Sequence, residues 1–151
     1  MSGPDRDELE GRVLLALAGW QIPIIQLNGM IADRLGVTWT DLQALYVLAN
    51  HGPATPGELA KRVNLTTGSA SRMIDRLDAA GFVRRVPDPA DRRRVLVEPV
   101  PEGLDRVAAF YDPLVERHRA DLADLGPAEL ATLLRFMERA ESSTEARIRD
   151  L

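Results

Sequence analysis

The sequence predicts a mainly α-helical chain with one small β-hairpin, an α+β fold, and three observations carry that expectation. Apolar residues recur at helical spacing over most of the 151 residues. The period changes once, just after Gly81, to short Val-rich runs flanked by turn residues. Threonine, proline and glycine fall where such elements start and stop.

From Asp7 to about Leu35, the residues Leu9, Val13, Leu14, Leu17, Ile24, Leu27 and Ile31 keep a helical spacing. Pro23 is expected to kink this helix, because it removes a hydrogen bond and crowds the preceding turn. Gly36 offers a stop. Thr38 or Thr40 caps a second helix with Leu42, Leu45, Tyr46 and Ala49 on one face, ending near His51, Gly52 and Pro53. Pro56 opens a short third helix, PGELAKRV, with Leu59, Ala60 and Val63 turned inward. Thr66 then caps a fourth, over 67–80, whose residues Ala70, Met73, Ile74 and Leu77 form a single apolar stripe. Gly68, Ser71, Arg72, Asp75 and Arg76 point the other way. Beyond Gly81, FVRRV and RVLVEPV read as two strands, with VPDPADRR as the hairpin tip. A long helix follows from Pro101 through Leu104, Val107, Ala108, Tyr111, Leu114 and Val115 to Leu125, with Pro113 inside it. Gly126 and Pro127 turn the chain into a last helix carrying Leu130, Leu133, Leu134, Met137 and Ala140. No repeat, low-complexity stretch or long linker interrupts the pattern.

Composition excludes several classes of function. Hydrophobic residues at 45% and charged residues at 28% describe an ordinary globular chain. No uninterrupted apolar run approaches the roughly 20 residues that cross a bilayer, and the opening MSGPDRDELE lacks the order of a secretory signal. A cytoplasmic protein with no membrane partner is expected. The chain has no cysteine, which excludes disulfides, thiol nucleophiles and thiolate metal sites. With His51 and His118 as its only histidines, no transition-metal site and no cofactor is expected. No Ser, His and Asp arrangement and no phosphate-binding GxxxxGK loop is present, so an enzyme is not expected.

Charge is more informative than composition. The net charge is -4, yet residues 61–94 hold nine basic side chains against four acidic ones, a local +5 inside an acidic chain. Such confinement is an electrostatic footprint for a polyanion. Its densest part is DPADRRR, residues 88–94, in the hairpin tip. Short helix, turn, capped helix and basic hairpin in succession make a helix-turn-helix followed by a wing. A major groove about 12 Å wide admits one helix whose first turns carry small residues. Thr66, Thr67, Gly68, Ser69 and Ser71 meet that need, Arg72 reaches a base edge or phosphate, and Arg76 suits a phosphate. Arg92, Arg93 and Arg94 can lie in the minor groove, with Asp88 and Asp91 fixing the loop. Thr38, at the opening of the second helix, is counted with these contacts. The competing reading makes Arg72 with Asp75, and Arg76 with Asp75 or Asp78, ordinary helix-surface pairs.

The run NLTTGSASRMIDRLDAAGFVRRVPDPADRRRVLVEPVPEG resembles the MarR-type winged helix-turn-helix regulators, and the order of the flanking helices extends the likeness over most of the chain. The resemblance implies one domain over 1–151, with a DNA-binding part at 38–100 and dimerisation helices at 7–35 and 101–149. It implies a homodimeric repressor on a pseudo-palindromic operator, with recognition helices entering major grooves roughly 34 Å apart. It further implies a small aromatic or anionic effector, for which Trp20, Ile24, Trp39, Tyr46 and Phe110 are the candidate lining. Thr66 to Arg72 and Arg76 match recognition-helix positions, and Asp91 to Arg94 match the wing. Where the family commonly reads Leu-Thr, this chain has Pro99-Val100, so Pro101 resets the start of the next helix. The missing cysteine excludes the peroxide-sensing branch. The alternative function is a winged-helix module that binds a protein partner instead of DNA.

Overall fold

The computed structural model describes residues 5–151. The first four residues of the expected domain lie outside them. Eight elements follow in order: α1 (Arg6–Leu35), α2 (Trp39–His51), α3 (Pro56–Arg62), α4 (Thr67–Ala79), β1 (Val83–Pro87), β2 (Val95–Pro99), α5 (Pro101–Asp121) and α6 (Pro127–Arg149). Their contacts divide the chain into two compact units, one up to Phe110 and the other Tyr111–Leu151.

Local chemistry sets the element ends in the first unit. Thr38 caps α2 through a reciprocal box: its hydroxyl accepts from the Asp41 N–H at 3.1 Å, and the Asp41 carboxylate accepts from the Thr38 N–H at 2.8 Å. Thr55 and Glu58 repeat the device at α3, where Pro56 occupies the first turn. The α3–α4 turn needs a left-handed residue, and Asn64 supplies it at φ 53°. Thr66 caps α4 by accepting from the Ser69 N–H. Gly81, at φ 77°, ends that helix where a Cβ would be strained.

The core of this unit forms around α4. Met73, Ile74 and Leu77 meet Leu45 and Leu48 of α2, Leu59 of α3, Phe82, Val83 of β1 and Val97 of β2, all buried. Strands β1 and β2 pair antiparallel with Val83 opposite Pro99 and Pro87 opposite Val95. The α2–α3 connection adds one rung at the edge: Ala54 and Val97 exchange backbone hydrogen bonds of 3.1 and 2.8 Å. This rung ties the hairpin to the helical core.

Three expectations need correction. On α2 the buried face is Asp41, Leu42, Ala44, Leu45 and Leu48, while Tyr46 and Ala49 face solvent. The buried stripe is thus rotated by about one residue, because the face that joins the core around α4 is the one carrying Ala44, Leu45 and Leu48. Helix α5 stops at Asp121 instead of Leu125, since the chain turns over 122–124 before Gly126. Helix α1 is long and apolar enough to cross a membrane by length and composition, with mean hydropathy 1.4 over an 18-residue window. Gly, Gln, Asn and Pro break its apolar run, yet no charged residue lies between Arg12 and Asp33.

Outside the α4 core, large apolar side chains face outward. On α1 only Ile31 and Ala32 are buried, leaving Leu9, Val13, Leu14, Leu15, Ile22 and Ile25 exposed. Within the second unit, α6 has no buried residue and exposes Leu130, Leu133, Leu134, Phe136 and Met137.

Candidate nucleic-acid interface

The first turn of α4 carries small polar residues outward. Thr67, Gly68 and Ser71 are exposed, as is Thr66, and no heavy atom lies within 4 Å of a Cβ built on Gly68. Helical side chains lean toward the N-terminus, which brings Arg72 back over this turn. There its Nη2 donates weakly to the Ser69 hydroxyl at 3.4 Å, and that hydroxyl also accepts from Thr66 Oγ1 at 3.0 Å. Arg72 remains exposed and forms no ion pair with any described residue. The guanidinium is aimed without being neutralised.

Arg76, one turn on, is arranged differently. Its Nη2 donates to Asp41 Oδ1 at 2.7 Å and its Nε to Oδ2 at 3.4 Å. The Asp41 side chain is 1% exposed, whereas that of Arg76 is 52% exposed. Asp75 and Asp78, the partners that the competing surface-pair reading gives to Arg72 and Arg76, are instead taken by Arg85 of β1 at 2.6 and 3.2 Å. Strand β1 leaves α4 through a tight turn, which sets Arg85 against the helix face carrying both carboxylates. Sequence reasoning missed Asp41 altogether. A signal was present, because Asp41 shares the buried α2 stripe with Ala44, Leu45 and Leu48, and a carboxylate on such a stripe needs a cation.

In the wing, each acidic residue holds the loop. Asp88 is buried and accepts from the Ala90 N–H at 2.9 Å. Asp91 accepts from both the N–H and the Nε of Arg93. These two hydrogen bonds, the side-chain one foremost, hold the Asp91 carboxyl below its usual range. Arg94 turns back toward Asp88 at 3.8 Å and toward Glu58 of α3 at 3.6 Å. The Glu58 carboxyl is likewise lowered, first by its hydrogen bonds to Thr55 and then by the charges of Arg94 and Arg62. Arg84 pairs with Glu98, its cross-strand neighbour, at 2.6 Å. Arg92 is exposed and forms no ion pair among the described residues. Of the three wing arginines, Arg94 anchors, Arg93 is 91% exposed while tethered to Asp91, and Arg92 is free.

The far end of α4 is held as well. Arg106 of α5 donates to the Ala80 carbonyl at 3.2 Å and lies over the Phe82 ring at 4.0 Å from its centroid. Beside it, a Cβ on Gly103 would come within 2.8 Å of the Gly81 oxygen and the Phe82 Cα. Only glycine lets the start of α5 approach the α4–β1 turn this closely.

Comparison with known proteins identifies this arrangement. A MarR family model matches residues 35–94, from the end of α1 to the wing. The HTH-type transcriptional regulator YcgE of Bacillus subtilis is 32% identical over 146 residues, which span 97% of this chain and 95% of YcgE. The chain belongs to the MarR family. A multiple antibiotic resistance protein, MarR of Salmonella typhimurium, is 36% identical over 112 residues, covering 71% of this chain and 74% of MarR. A mutant MarR from E. coli complexed with operator DNA has a TM-score of 0.54 and 26% identity over 86% of this chain and 91% of its own. As a MarR-family chain the protein is a winged-helix transcriptional regulator.

The aromatic residues singled out as an effector lining are not enclosed in the single chain. Trp20, Trp39, Tyr46 and Phe110 are each more than a third exposed, and Ile24 is half-buried. The depression found on α1, at Met30, Asp33 and Arg34, includes none of the five.

Proposed function

We propose that this MarR-family regulator is a repressor that binds a pseudo-palindromic operator in duplex DNA as a homodimer. One observation carries the reading: Arg72 and Arg92 stand exposed and, among the described residues, without ion pairs, on a recognition helix and a wing whose other arginines are held by carboxylates. Polyanion binding is the chemistry that such unneutralised cations suit. On this reading Thr38, Thr66, Thr67, Gly68, Ser69, Ser71, Arg72 and Arg76 meet DNA from the helices, and Asp91 to Arg94 serve the wing. The DNA-binding part is 38–100, within a domain of 1–151.

Dimerisation is assigned to 7–35 and 101–149, where α1 and α6 leave contiguous apolar faces without a partner. Patches of that extent mark an interface. The kinship with MarR-family regulators favours a second copy over a lipid bilayer as the occupant of α1. A small aromatic or anionic effector would act through the face bearing Trp20, Ile24, Trp39, Tyr46 and Phe110. The test is selection of bound duplexes from a random pool, with the oligomeric state measured in parallel by light scattering. A dimer that enriches a palindromic sequence is expected, and losing Arg92 and Arg93 should weaken its binding at physiological salt. Enrichment of no sequence, with salt-insensitive binding, would sink the reading.

A further inference from the structure

The Asp41 and Arg76 pair does more than join two helices. Asp41 Oδ2 accepts from the Thr38 N–H at 2.8 Å and from Arg76 Nε, while Oδ1 accepts from Arg76 Nη2 at 2.7 Å. The carboxylate therefore fixes the start of α2 and one edge of the Arg76 guanidinium at once. A guanidinium has five N–H donors in a rigid plane, and this contact uses two. Three remain, two of them along the outer Nη1–Nη2 edge, consistent with a side chain that is half exposed although its partner is fully buried. Among the described residues only Asp41 forms an ion pair with Arg76, while Asp75 and Asp78 are engaged by Arg85.

We propose that Asp41 is a positioning residue for DNA binding, holding the inner edge of Arg76 so that the outer edge meets a DNA phosphate. The proposal rests on the DNA-binding reading above. A free arginine would lose side-chain freedom on reaching a phosphate, and the buried carboxylate removes that freedom beforehand. Long-range electrostatics predicts the opposite effect of the same residue. Asp41 is a negative charge within the DNA-binding unit, so deleting its charge should strengthen binding to a polyanion if charge alone matters. The sign of the change decides between the two.

The test measures affinity of the full-length protein for a duplex selected by the wild type, using fluorescence anisotropy, with circular dichroism confirming that each variant is folded. Asp41→Asn should bind about tenfold more weakly, the scale of one charge-assisted hydrogen bond, on every duplex sequence. In an Arg76→Ala background, Asp41→Asn should have no further effect on affinity. A purely structural role through the α2 cap would cost the same affinity in both backgrounds and would overturn the proposal. So would unchanged or tighter binding by Asp41→Asn. Arg76→Lys provides the second variant, since it keeps a cation opposite Asp41 and so preserves the fold. A single ammonium cannot serve carboxylate and phosphate from opposite edges, so it should lose as much affinity as Asp41→Asn. Wild-type affinity in Arg76→Lys would refute the two-edge geometry. Failure of the wild type to bind any duplex would instead remove the DNA-binding reading itself.

Discussion

Raising salt against a selected duplex tests how many cations the interface presents. Residues 61–94 carry nine basic side chains. Arg76, Arg84, Arg85, Arg93 and Arg94 are in ion pairs, which leaves Lys61, Arg62, Arg72 and Arg92. Each phosphate neutralised contributes about 0.9 to the slope of log affinity against log salt, so four cations give about -3.6 per subunit and about -7 per dimer. Counting the outer edge of Arg76 as a fifth gives about -9 per dimer. All nine acting freely would give about -16. The measurement is anisotropy from about 50 to 300 mM salt, where affinity should fall by several decades. A slope steeper than about -12 would show that the paired arginines open on DNA and that the ion pairs do not limit the interface. A slope shallower than about -3 would show that this surface does not face phosphates at all.

Other substitutions separate reading from holding. Arg72→Ala should cost about 1 to 3 kcal/mol of operator affinity and relax sequence preference at one position per half-site, seen by repeating the duplex selection; uniform weakening across sequences would make Arg72 a phosphate contact. Arg76→Ala strands a buried carboxylate, so urea unfolding should show a loss of about 3 kcal/mol, and a variant as stable as the wild type would contradict the Asp41 geometry. Gly103→Ala drives a Cβ to 2.8 Å from two backbone atoms that cannot rotate aside, and a loss of about 1 to 3 kcal/mol in the same assay is expected. Glu58 at the start of α3 and Asp91 in the wing both ionise below their usual range in the folded protein. Their stabilisation is therefore complete above the unfolded value near about pH 4 and fades as pH falls through the lower folded values. Amide exchange in 88–94 should be flat from about pH 8 to 5 after correction for intrinsic rates, and a break near neutrality would exclude these two groups.

The fold was legible because its signals are local. Thr38, Pro56, Thr66 and Gly81 each act within four residues, and each marks an observed element end. The α4 stripe of Ala70, Met73, Ile74 and Leu77 is fully buried as its spacing requires. The site was legible only in outline. Sequence shows which side chains can pair within a helix, and so offered Asp75 and Asp78 to Arg72 and Arg76. Packing decides otherwise, since Arg85 arrives from the next strand and Asp41 from 35 positions upstream. Exposure of α1 and α6 was equally hidden, because an apolar stripe has the same sequence whether the chain covers it or another copy does.

The division of labour among the arginines explains how an acidic protein can offer a cationic surface. Arg85 binds β1 to α4, Arg94 binds the wing base to α3, and Arg84 crosses the hairpin to Glu98. Each pair cancels its own charge, so these contacts stiffen the helix and wing without adding to the field outside. Exposed pairs contribute little stability one at a time, at most about 1 kcal/mol. Their effect here is geometric: three elements are joined at several points, together with the backbone rung from Ala54 to Val97. On the proposed interface Arg72 and Arg92 project from a frame that is already set, and their ordering on DNA would concern side chains alone. A duplex that places its groove edges at the spacing of helix and wing would then be bound without reorganising the backbone, whereas one of different shape would have to be deformed. Discrimination between duplexes follows from that rigidity more than from the total charge, which would attract every sequence equally.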